Sequence, residues 1–162
     1  MTLIDPSQAD SLPTAPLLQF TLSEQRFAVP IAIVQEVQRP VSIQPLIGLP
    51  PELPGVIDWH GQPLAVLDLR RRLKLSGQLG ADSSDAALLL IFSKGHLLAL
   101  PVDKVIGVAR ATGNAAFERG SGWDCIAGLI RISGQLITLL DADQLPFAAL
   151  EALWSGLNTS SP

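Results

Sequence analysis

Two histidines, one cysteine, two recurring aspartates and a run of arginines are the residues of this 162-residue chain best equipped for chemistry. His60 and His96 could ligate a metal or relay a proton, but each falls in a separate expected hairpin turn, not at ligand spacing on one element. Cys125 is the single cysteine, which leaves no CxxC pair and no internal disulfide. It stands near Trp123 and reads as a small buried apolar residue rather than a reactive thiol. HExxH, GxGxxG and a Walker-type lysine loop are absent. Ser133-Gly134 is a turn dipeptide with no Gly-x-Ser-x-Gly around it. Asp68 and Asp141 each end an apolar run where a helical turn starts, so their carboxylates are expected to accept from its first N–H groups. Arg70, Arg71, Arg72 and Lys74 lie in a short helical segment and read as a solvated face rather than an anion site. No catalytic residue, metal or cofactor is expected, and the chain is not read as an enzyme.

Composition narrows the partners. Hydrophobic residues make up 48% and charged residues only 16%, which allows a good core with apolar surface to spare. A net charge of −4 and a pI near 5.0 argue against nucleic acid. The longest apolar run, residues 86–92, is too short to cross a bilayer, so direct membrane insertion is not expected. The first basic residue is Arg26 and no apolar leader follows the pattern of a signal peptide, so a cytoplasmic protein is expected.

The elements that would position these residues are short strands. Residues 1–16 have no periodicity and read as a disordered lead-in. Leu18, Phe20 and Leu22, a Ser23-Glu24-Gln25 turn and Phe27-Ala28-Val29 make a hairpin that Pro30 ends. Ile33, Val34 and Val37 then suit a turn feeding a strand. Five prolines between positions 40 and 54 impose an extended loop. Residues 55–73 read as strand, His60-Gly61 turn, strand and short capped helix. Residues 76–85 are rich in Gly, Ser and Asp and connect two halves.

The second half repeats the first. Leu98-Ala99-Leu100-Pro101 falls on Phe27-Ala28-Val29-Pro30 at an offset of 71, as do Val105 and Val108 on Val34 and Val37. Residues 128–141 match residues 55–68 at an offset of 73, so the intervening loop holds two extra residues. Positions alike in both copies (Gly55/Gly128, Ile57/Ile130, Gly61/Gly134, Leu67/Leu140, Asp68/Asp141) are expected to serve folding. Positions that differ are free for recognition: Glu36 against Gly107, and Asp58, Trp59 and His60 against Arg131, Ile132 and Ser133. Alternation places Asp58 and His60 on one face and Ile57 and Trp59 on the other, with Trp59 read as a core anchor. Glu36 reads equally as a solvated residue or a binding one.

The expected architecture is all-β: two packed small β-barrels, about residues 17–75 and 86–145, with both faces of runs such as 64–67 and 136–140 covered. Asp141 to Gln144 has the form of a capping box before a terminal helix over residues 146–154, which Ser155-Gly156 stops; residues 156–162 form a tail. The folded unit is thus residues 17–155.

These blocks together resemble the CheW-like adaptors of bacterial chemosensory arrays (CheW- and PilI-type coupling proteins). The resemblance runs from Leu17 to about Leu145 through Phe20-x-Leu22, Phe27-Ala28-Val29-Pro30, Val34-Gln35-Glu36-Val37, Gly55-Val56-Ile57 with Gly61, residues 63–73, and residues 126–141. It implies two packed five-stranded SH3-like β-barrels and a non-catalytic adaptor. It further implies two partners, the regulatory domain of a CheA-type histidine kinase and the helical cytoplasmic tip of a methyl-accepting chemoreceptor. The tip would dock in an apolar groove between the barrels. By the same resemblance Ile33, Val34, Glu36 and Val37 fall on the family's binding segment, and Asp58 and His60 on a family Asn-Leu-Arg-Gly string. His60 there replaces a permanent forked cation by a titratable ring, which suits a dedicated paralogue such as one serving type IV pilus (twitching) motility. The competing expectation is a stand-alone small-β module that binds a peptide or small ligand outside any kinase array.

Overall fold

Apolar runs broken by two-residue turns lay most of the chain down as hairpins. In the computed structural model, which describes residues 15–75, 84–115 and 124–158, four such turns have both central residues at positive φ: Ser23-Glu24, His60-Gly61, Lys94-Gly95 and Ser133-Gly134. This is the turn form whose twist matches that of the flanking strands. The turns join β1 (Leu17–Leu22) to β2 (Gln25–Pro30), β4 (Gly55–Trp59) to β5 (Gln62–Val66), β6 (Ala87–Ser93) to β7 (His96–Val102), and β10 (Ile126–Ile132) to β11 (Gln135–Leu140). His96 is therefore the first residue of β7, just past its turn. Between the hairpins lie β3 (Val34–Gln38), β8 (Lys104–Ala109) and β9 (Gly113–Ala115); the short β9 has no counterpart in the sequence reading. Asp68 caps the single turn of α1 (Leu69–Arg72) as expected, accepting from the N–H groups of Arg70 at 3.1 Å and Arg71 at 3.5 Å.

The sheets do not follow the sequence halves. One has the order β8-β1-β2-β11-β10-β9, the other β3-β6-β7-β5-β4. The leading hairpin of each half is thus built into the sheet of the other half, which corrects the division into a 17–75 barrel and an 86–145 barrel. Two short parallel contacts mark the exchange: β2 on β11 (Ala28 opposite Leu139) and β7 on β5 (Ala99 opposite Val66). The two contacts correspond under the repeat. The chain leaves the two leading hairpins differently. After Pro30 and one more hydrogen bond, from the Ile31 N–H to the Pro16 carbonyl at 3.0 Å, a 3-10 turn over Ile31–Ile33 carries the chain across to β3, whereas β7 continues through Pro101 to Val102.

Exchange lets each leading hairpin bury both faces. Phe20, Leu22 and Val29 of the first join Leu89, Ile91 and Leu98 of the other in one central core. Their opposite faces fill two smaller clusters, Leu17 and Ala28 with Ile130 and Ile137, and Leu90 and Ala99 with Ile57 and Val66. The run 64–67 divides between cores as expected, whereas Leu136 at the start of β11 is half exposed. The result is an all-β molecule of two packed SH3-like units whose backbone ladders leave both sheets open.

The C-terminal helix α2 spans Ala148–Asn158, two residues later at its start and beyond Gly156 at its end. Asp141 caps a 3-10 turn (Ala142–Gln144) instead of this helix, because Pro146 and Phe147 intervene. Leu150 and Trp154 pack into the central core. The expected lead-in 1–16, apart from Ala15 and Pro16, most of the 76–85 connection and the last four residues of the tail lie outside the described residues. Among the described residues no helix is long and apolar enough to cross a membrane.

Candidate partner interface

β3 builds one side of the site, and the proline-rich loop that follows it crosses to β4. The loop is extended around Pro40 and Pro45 but not throughout: turns at Ile47-Gly48 and Pro51-Glu52, the second closed by the Leu53 N–H on the Pro50 carbonyl at 2.9 Å, fold it back. Gln44 docks on the free edge of β4 through two hydrogen bonds with Val56, 2.7 and 2.9 Å long. Gly55 permits this approach: a Cβ there would stand 2.1 Å from the Gln44 carbonyl oxygen. The docked loop exposes Val41, Leu46 and, fully, Ile47. β3 is an edge strand, hydrogen-bonded only to β6, with a bulge between Val34 and Glu36. The bulge reorients the strand so that Val37 stands 44% exposed, while Ile33 and Val34 pack half-buried against the central core. Unpaired backbone groups and an apolar side chain on one edge make a template for another protein.

The β4–β5 turn builds the other side. Asp58 Oδ1 accepts from the Gly61 N–H at 2.9 Å, so its carboxylate closes the turn. His60 is exposed, at φ 52°, with its ring edge-on to Trp59 at 4.6 Å between centroids. Trp59 packs beside the cluster of Ile57 and Leu64, and its Nε1–H donates to Glu36 Oε1 at 2.8 Å. β3 and β4 are opposite edges of the five-stranded sheet, so this side-chain bond ties together edges that no ladder joins. The sequence reading of Trp59 as a core anchor holds for its ring and misses its N–H. A signal was present: Glu36 and Trp59 depart from the repeat together, as Gly107 and Ile132 occupy the matching positions.

The structure thus brings Glu36, Val37, Asp58, Trp59 and His60 to neighbouring edges, and turns Ile33 and Val34 toward the core. The arginine run has a different place from the one expected. Arg70 is buried and ion-paired with Asp103, and Arg72 donates from Nε to the Leu145 carbonyl at 2.9 Å and from Nη2 to that of Gln144 at 3.1 Å. Only Arg71 and Lys74 of the run keep exposed side chains. Cys125 is buried, and burial pushes its thiol pKa above the ordinary range, which suppresses the nucleophilic thiolate. Among the described residues no group of three His, Cys, Asp or Glu side chains could hold a metal ion.

Two SH3-like units with an exposed apolar strand edge define an SH3-like β module of the kind that adhesive strand edges suit. The family model for the CheW-like domain matches residues 16–147, and the chain belongs to that family. No curated protein sequence matches it. The fold is similar to that of the crystal structure of the scaffolding protein TtCheW from Thermoanaerobacter tengcongensis, with a TM-score of 0.75 at 20% identity over 85% of this chain and 95% of that one. Family membership places the chain among non-catalytic chemotaxis scaffold proteins. The helix α2 begins just beyond the stretch that the family model matches.

Proposed function

We propose that this protein is a cytoplasmic adaptor that couples a methyl-accepting chemoreceptor to a CheA-type histidine kinase, recruited to receptor arrays at the membrane by those contacts. The observation that carries the reading is the open β3 edge, where Val37 is exposed beside the half-buried Glu36. Its repeat equivalent β8 is the edge strand of the other sheet and exposes Ile106 and Val108. A chain with two different adhesive edges supports head-to-tail contacts with a partner of related fold, and such contacts close into rings when the rotation allows. The kinase regulatory domain would take the β3 edge with Glu36 and Val37. Asp58 and His60 would flank that contact, with Ile33 and Val34 supporting it from beneath. The receptor tip would enter as a helix in an apolar groove between the two units. A dedicated pathway such as pilus motility suits the His60 substitution.

The test is Val37→Glu. A charge placed in the apolar contact is expected to abolish pull-down of the cognate kinase regulatory domain while leaving the circular dichroism spectrum and unfolding midpoint unchanged. Retention of the kinase domain at wild-type level refutes the interface.

A further inference from the structure

The adaptor reading gives Glu36 a contact role; the hydrogen bond from Trp59 says how that role is controlled. A glutamate on a strand edge samples several rotamers, and immobilising such a side chain on binding costs free energy. Here Oε1 is already held by an indole N–H at 2.8 Å, and the indole is itself fixed by packing beside Ile57 and Leu64. Within the described residues Oε2 carries no hydrogen bond. We propose that Trp59 is a positioning residue for partner recognition: it locks Glu36 in one orientation and leaves its second carboxylate oxygen for a donor on the partner. The partner it fits is a protein edge that offers an arginine or lysine donor next to an apolar side chain covering Val37. The lock also separates the two adhesive edges chemically. At the matching positions of the second copy stand Gly107 and Ile132, so the β8 edge has neither the carboxylate nor its holder. A donor-bearing partner surface is therefore selected by the β3 edge and not by the β8 edge.

This inference rests on the adaptor reading, and a double-mutant cycle in the full chain separates the two. Trp59→Phe keeps an aromatic ring and removes the N–H; Glu36→Ala removes the acceptor. Affinity for the cognate kinase regulatory domain is measured by calorimetry for the wild type, both single variants and the double variant. Trp59→Phe is expected to weaken binding about fivefold, the cost of ordering one released side chain. In the Glu36→Ala background the same change is expected to do nothing, since Trp59 acts through Glu36. In the free protein, Glu36→Ala is expected to move the Trp59 indole 15N–1H resonance, a signature that a packing role alone does not require. Trp59→Leu provides a second variant without the N–H where Phe perturbs the unfolding midpoint. Full affinity in both Trp59 variants, with Val37→Glu abolishing binding, overturns the positioning role and leaves the adaptor reading standing. Losses that add independently also overturn it, because Trp59 would then touch the partner itself. Failure of the wild-type chain to bind the kinase domain overturns the adaptor reading and the role built on it.

Discussion

Gly55 and Gly128 are the same residue in the two copies of the repeat, yet an added methyl group should cost stability at only one of them. At Gly55, φ is 150° and a Cβ would lie 2.1 Å from the Gln44 carbonyl oxygen, with Gln44 C and Pro45 Cα also inside 3 Å. To reach ordinary contact the loop has to withdraw by more than an ångström, because the nearest atoms are backbone. That separation breaks the paired hydrogen bonds between Gln44 and Val56. At about 1 kcal/mol net for each bond, the loss is about 2 kcal/mol, and the unfavourable φ for an L side chain adds about 1 kcal/mol. Gly55→Ala is therefore expected to cost about 3 kcal/mol, a fall in Tm of roughly 6–12 °C for a chain of this size. At Gly128 nothing lies within 4 Å of the added Cβ and φ is ordinary, so Gly128→Ala is expected to change stability by less than about 0.5 kcal/mol. Paired thermal melts followed by far-UV circular dichroism measure both. Equal shifts in the two variants, or a Gly55→Ala shift within 1 °C or so of zero, refute the argument that close approach rather than the repeat determines this glycine. The same Gly55→Ala variant should also weaken partner binding, since the loop it displaces lies against β4 beside Asp58 and Gly61 of the turn.

Two further outcomes follow from the buried charges and the thiol. Asp103→Ala leaves Arg70 a buried cation and also removes the acceptor for the Ser23 N–H, whereas Arg70→Met leaves a carboxylate that is about one-third exposed. Chemical denaturation is expected to show a loss of about 3 kcal/mol for Asp103→Ala and a smaller one for Arg70→Met; the reverse order refutes the account of Arg70 as a buried cation held by Asp103. Cys125 keeps its proton in the folded state because burial raises its pKa. Its contribution to stability is therefore full below the pKa of the unfolded thiol and declines as pH rises from there toward the raised folded value. Ellman's reagent should label Cys125 only on unfolding at neutral pH, and rapid labelling of the native chain would refute its burial.

Much of the fold was legible because it is encoded locally. Two-residue turns, Pro30 at the hairpin end and Asp68 ahead of Leu69 act within a few residues, and the structure shows each doing what its chemistry requires. The terminal helix was less legible: Asp141 has the sequence of a cap for it but caps an intervening 3-10 turn. The arginine run was misread because helical spacing describes a face without saying what lies against it. Asp103, 33 residues away from Arg70, and the carbonyls of Gln144 and Leu145 turn that face into a clamp.

By itself, the sequence determined the hairpins, the internal repeat and the Asp68 cap, all of which depend on neighbouring residues or on comparison of one half with the other. Only the tertiary structure decided which hairpin joins which sheet. The two copies share one apolar pattern, so a leading hairpin fits the sheet of either half by pattern alone, and long-range burial of both its faces selects the exchanged pairing. The same packing decided the site. It carries β3 and β4, at the two edges of one sheet and far apart in sequence, to within one hydrogen bond of each other, and so joins Glu36 to Trp59.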